Sequence, residues 1–230
     1  MRFMPEGRIA LRRRKSNSGF DNVRFCFPSS GLARPGPAPT KDPAPMGNKH
    51  QSDFANAVVV SLLLVGALFL VEGVTLLFNM PLQRFGIVPR TEAGLVGVLF
   101  APLLHASPRH VLSNAIPLFV LLVLLLSNRA YRPYATLAWV WFASGLGTWL
   151  IGRGSAIHIG ASSVVFGLAA FLIFAGFLMQ SWRSAFVALF VAIFYGGIFY
   201  GVLPQAGPIS WEGHLCGAAA GAWAAVRVKR

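Results

Sequence analysis

The chain has 230 residues, 55% of them hydrophobic and 12% charged, with a mean hydropathy of +0.62. A soluble domain carries about 25% charged residues, so this composition, with its apolar residues gathered in long runs, excludes an ordinary soluble fold and points to an all-α polytopic membrane protein. Formal net charge is +13, and ten of the 20 Lys and Arg precede residue 54; such a basic stretch beside a membrane segment serves topology and contact with membrane lipids. No nucleic-acid motif accompanies it, so no nucleic-acid partner is expected.

Residues 1–53 are rich in Arg, Ser, Pro and Gly and too poor in apolar residues to offset their ordering entropy, which predicts a disordered basic segment. Met46, close before the first apolar run, is a candidate alternative start. Beyond this segment the apolar periodicity predicts a membrane domain over 54–227, with six spans at about 54–78, 108–127, 134–152, 160–179, 184–203 and 211–227. Glu72 is expected to snorkel to the interface at the end of the first span. The apolar stretch 95–104 is too short to cross and is expected to lie in the interface or dip into the protein. Cys26 and Cys216 fall at different depths, so no disulfide is expected.

An even number of spans puts both termini on one side. Placing them inside leaves sixteen Lys and Arg on the cytoplasmic side against four outside, and six against four without residues 1–53. The positive-inside rule therefore predicts cytoplasmic N- and C-termini.

Polar residues inside membrane helices are costly and mark functional positions. His110 and Asn114 open the second span, Ser162 the fourth and His214 the sixth. On this topology all three spans enter from one side, so the four residues lie within roughly 10 Å of that interface. A serine hydroxyl needs a base to become nucleophilic, and His214 is a candidate. His110 and Asn114, four apart, share a helical face and both offer N–H donors. With the free first-turn amides beside Ser162 they form a candidate oxyanion site. No acid stands in register to orient His214, which leaves a Ser–His dyad as the minimal reading; Glu212 sits at the outer edge. Gly160-Ala161-Ser162-Ser163 keeps side chains small, Gly217 and Gly221 form a small-residue face, and Phe166 is placed to stack on His214. His105 reads as a loop residue and His158 as an exposed one. A metal site is not expected, since no His-Glu-x-x-His helix is present.

The ordered set His105…His110…Asn114, Gly160-Ala161-Ser162-Ser163 and Gly213-His214-Leu215-Cys216-Gly217 with Gly221 resembles the rhomboid family of intramembrane serine proteases, over about residues 54–227. The resemblance implies a six-helix bundle around a water-filled cavity. Ser162 would be the nucleophile, His214 the base, and His110, Asn114 and the Ser162 amide the oxyanion hole. It further implies single-pass transmembrane proteins as substrates, span five with Gly196, Gly197 and Gly201 as a gate, and no cofactor. Ser163 stands where family members often have Gly, Gly213 where Ala is common, and the first-loop Trp-Arg pair is missing; none of these departures removes a catalytic group. Mitochondrial relatives carry an additional helix ahead of the six, which favours a prokaryotic cell membrane. The alternatives are a catalytically silent relative that binds membrane clients, and a transporter; Glu212 is the sole Asp or Glu in spans two to six, which counts against transport. Oligomeric state is not legible in the sequence.

Overall fold

The computed structural model describes residues 49–205, 207 and 209–229. The predicted disordered segment 1–53 therefore lies outside the described residues except for its end, where the first helix already begins at Lys49; Cys26 also lies outside.

Seven α-helices follow in order: α1 Lys49–Leu77, α2 Glu92–Phe100, α3 Pro108–Leu126, α4 Pro133–Ile151, α5 Ser162–Leu178, α6 Trp182–Tyr195 and α7 Trp211–Lys229. No strand occurs among the described residues; Ile87 and His158 make an isolated antiparallel bridge. Five of the six expected spans each coincide with one α-helix within about five residues, the fifth is covered by α6 and the 3-10 helix that follows it, and together they form a six-helix membrane bundle. Asp53–Leu77, Pro108–Leu126 and Trp182–Val202 are long and apolar enough to cross a bilayer by themselves. The short apolar stretch forms α2 and a 3-10 turn, Ala101–Leu103, that packs Ala101 and Pro102 into the protein.

Helix boundaries follow local chemistry. Thr91 caps α2 by accepting the Gly94 amide at 3.0 Å, and Ser107 caps α3 by accepting the His110 amide at 3.2 Å. Pro108 then occupies a first-turn position that needs no amide donor.

The bundle is built around α5. Its residues Val164 to Leu172 are all buried, as expected of a helix that is apolar on every face. At 17 residues it spans only about 25 Å, short of a hydrocarbon core of about 30 Å. A helix of that length need not reach both faces of a bilayer, and the cavity described below lies beside its first residue, Ser162.

Lipid removes the hydrophobic drive between helices, so close packing and small residues hold them together. A Cβ on Gly217 would overlap the Ser163 carbonyl, and one on Gly221 the Gly167 carbonyl. Glycine at these two positions lets α7 lie directly on the α5 backbone. On α1 the buried stripe Ala57, Ser61, Leu68 and Glu72 recurs at helical spacing. Glu72 is only 6% exposed, so it does not snorkel to the interface as expected. Its position on the packed stripe is the reason. By contrast α6 buries Ser184, Ala188 and Val191 and exposes Phe186, Leu189, Ile193 and Phe194. It ends at Tyr195 and continues as a 3-10 helix, Gly196–Val202, so the fifth span has two geometries.

Candidate active site

The N-terminal ends of α3, α5 and α7 meet at one end of the bundle. A cavity of about 570 Å³ opens there, lined among others by His110, Asn114, Ser162 and His214. Residues separated by up to 104 positions in sequence share one wall because three helices enter from the same side.

Ser162 Oγ lies 2.9 Å from His214 Nε2. On its other side His214 Nδ1 lies 3.0 Å from the Gly201 carbonyl. A carbonyl only accepts, so Nδ1 carries the proton and Nε2 is left to accept from the serine hydroxyl. The orienting group absent from the sequence pattern is therefore a backbone carbonyl, contributed by the 3-10 continuation of α6. Phe166 stacks on the His214 ring at 4.0 Å between centroids and 9° between planes. Ring plane and tautomer are thus fixed by two different elements. Ser163, the second hydroxyl, makes no hydrogen bond to His214 among the described residues; its carbonyl faces Gly217.

The donors on α3 reach the same place. Ala106 N–H approaches His110 Nδ1 at 3.5 Å, which leaves the proton on Nε2. One Asn114 amide hydrogen bonds the His110 carbonyl at 3.1 Å, leaving the second free to donate. Gly160, at φ +111°, brings the chain against this pair: a Cβ there would stand 2.8 Å from His110 Cε1 and 3.0 Å from its Nε2. Only glycine adopts that backbone without strain. The amide of Ser162 opens α5, where a first-turn N–H has no intrahelical acceptor.

His105 lies in the loop ahead of α3, as expected, and is buried there. It is 2% exposed, meets His110 edge-on at 4.9 Å, and its Nε2 accepts the Ala161 amide at 3.3 Å. Burial, with His110 alongside, pulls it down to about 4, so it is neutral and keeps that acceptor at ordinary pH. The bond anchors the chain one residue ahead of Ser162.

His158, expected to be exposed, is buried at 4% exposure. Its backbone pairs with Ile87 at 2.9 Å in both directions, which draws the ring inward. Nε2 donates to the Arg153 carbonyl at 3.1 Å, and Nδ1 accepts the Ser210 hydroxyl at 2.6 Å. Ser210 Oγ in turn accepts the Gly213 amide at 3.3 Å, capping α7 just ahead of His214. Glu212, in the first turn of α7, is also buried within the protein: it is 1% exposed and pairs with Arg153 at 2.7 Å. Arg153 further donates to the Ile209 carbonyl at 2.6 Å. These four residues tie the segment before Ser162 to the segment before His214. Sequence reasoning missed them; the helix-start pattern of a serine three residues before Gly213 was the one signal available.

Among the described residues no three His, Cys, Asp or Glu side chains gather in a metal-binding group. Cys216 is a free thiol.

The Rhomboid domain family matches residues 92–230. Uncharacterised proteins of Mycobacterium tuberculosis and Mycobacterium bovis are each 43% identical to this chain over 173 residues, covering 71% of it and 72% of their own length. One from Mycobacterium leprae is 39% identical over 176 residues, covering 73% of this chain and 69% of its own. No solved structure matches the chain. With this match over more than half its length and its helical membrane bundle, the chain belongs to the rhomboid family.

Proposed function

We propose that this chain is an intramembrane serine endopeptidase that cleaves single-pass transmembrane proteins. Ser162 Oγ attacks the scissile carbonyl and passes its proton to His214 Nε2, which then protonates the leaving amine. A water molecule deprotonated by the same nitrogen hydrolyses the acyl-enzyme and frees Ser162. The oxyanion formed in each half takes hydrogen bonds from His110 Nε2–H, the free Asn114 amide hydrogen and the Ser162 amide. The observation that carries this reading is the two-sided hold on His214, with Ser162 Oγ at 2.9 Å and the Gly201 carbonyl at 3.0 Å.

The cavity supports the same chemistry, since hydrolysis inside a membrane needs room for water beside the nucleophile. A helical substrate carbonyl is already hydrogen-bonded, so segments with small or helix-breaking residues at the cut are the expected substrates. The thinly packed α6 is the natural path of entry. We place both termini in the cytoplasm and the cavity at the outer face of the cell membrane, on the asymmetry of Lys and Arg between the loops.

Purified protein in vesicles containing a single-pass substrate tests the proposal. Cleavage is expected to vanish with Ser162→Ala or His214→Ala while both variants stay folded. Cleavage that survives Ser162→Ala and is lost with Ser163→Ala overturns the nucleophile assignment.

A further inference from the structure

At the other end of the bundle α4 begins and α7 finishes side by side. Arg227 lies thirteen residues along α7 from His214, hence about 20 Å from the serine–histidine pair. A groove of about 160 Å³ runs between the two helices, lined by Arg132, Ala135, Trp139, Trp223 and Arg227 among others.

The groove wall is ordered by its own contacts. Trp139 and Trp223 stack at 4.3 Å between centroids and 22° between planes, and Trp139 Nε1 donates to the Ala220 carbonyl at 3.2 Å. The Arg227 guanidinium rests over the Trp223 ring at 4.3 Å, so its fork is held in place. Both Trp are 42% exposed, each with an apolar body and a polar N–H. Stacked, amphipathic indoles belong at the headgroup level of a bilayer.

Charge completes the site. Two arginines line this small groove, and among the described residues no Asp or Glu does. Among the described residues Asp53 pairs with Arg129 and Glu212 with Arg153, while Glu72 and Glu92 lie on α1 and α2. Like charges in one groove repel, and an anion between them reverses the sign of that interaction. The planar guanidinium fork matches phosphate oxygens two at a time. We infer that the α4–α7 groove binds the phosphate of an anionic phospholipid, with Arg132 and Arg227 on the phosphate and the Trp139–Trp223 pair along the glycerol and upper acyl chain. This site stands independently of any catalysis by Ser162.

The test is thermal unfolding of the detergent-solubilised full chain with added phosphatidylglycerol, phosphatidylcholine or inorganic phosphate. Phosphatidylglycerol is expected to raise the midpoint by about 5 °C at saturation, and the other two to leave it unchanged. The Arg132→Gln/Arg227→Gln double variant should fold, since both side chains are exposed, and should lose the shift. Arg183→Gln, a basic residue outside the groove, should keep it. Native mass spectrometry should find one retained phosphatidylglycerol per parent chain and none on the double variant. An equal shift with phosphatidylcholine, an equal response in the double variant, or loss with Arg183→Gln overturns the site. An equal shift with inorganic phosphate overturns the lipid as its occupant.

Discussion

The carbonyl of Gly201 and the Nδ1 of His214, 3.0 Å apart, join the end of the fifth span to the first turn of the last. In soluble serine hydrolases a buried carboxylate does this work. Here it falls to a backbone group on the least buried of the three segments long enough to cross a bilayer, so any movement of that segment also alters the hold on His214. A Cβ at residue 201 would stand 2.9 Å from Phe166 Cζ and 3.2 Å from His214 Nδ1. Gly201→Ala is therefore expected to lower kcat by roughly 10–10²-fold, with KM little changed, because a displacement near 1 Å of a catalytic group costs that much. Steady-state cleavage kinetics check it; a changed KM with unchanged kcat would assign Gly201 to substrate entry alone.

In the proposed reaction, removing one oxyanion donor should leave the Ser162–His214 pair intact and the cleavage slow. Asn114→Ala is expected to cost about 10²–10³-fold in kcat, and its binding of an uncleaved substrate segment should match the parent. An unchanged kcat would remove Asn114 from the reaction.

Much of this arrangement was legible in the chain. Five of the six spans followed from apolar length and the last from a shorter run rich in Ala and Gly, and the meeting of His110, Asn114, Ser162 and His214 from the direction in which their helices enter. Small residues at Gly160 and Gly217 marked the close approaches, since a membrane bundle packs by backbone proximity. What stayed hidden were contacts made by irregular segments. His158 turns inward because its backbone pairs with Ile87, 71 positions away, and no periodicity encodes that bridge. Glu212 is buried because Arg153 reaches it from the loop between α4 and α5. The carbonyl that orients His214 could not be read at all, since every residue carries one and only the fold selects Gly201.

His105 gives the protein a pH-dependent stability. Its value is about 4 in the folded chain against an ordinary 6.5, so the unfolded chain binds the extra proton first as pH falls. The contribution is complete above pH 6.5 and is lost progressively down to pH 4, amounting to about 3 kcal/mol in all. Unfolding midpoints between pH 7 and pH 4 should therefore fall less steeply for His105→Asn than for the parent. Equal slopes would show that His105 is not held neutral by the fold.

Ser210→Ala removes the cap of the Gly213 amide and leaves the buried His158 Nδ1 without a partner. The expected cost is about 1–3 kcal/mol of stability, together with slower cleavage, because the segment ahead of His214 is no longer tied to the one ahead of Ser162. Ser210→Thr, which keeps the hydroxyl, should recover both. Thermal unfolding and cleavage rates measured on the same preparations check this, and an alanine variant as stable as the parent would contradict it.

The most direct measurement is the site of covalent labelling by a fluorophosphonate, which reacts only with a serine whose proton has an acceptor. In detergent the intact chain should take up one phosphonyl group, mapped by peptide mass spectrometry to Ser162, and neither Ser162→Ala nor His214→Ala should react. Label on Ser163, or equal labelling with and without His214, would contradict the account.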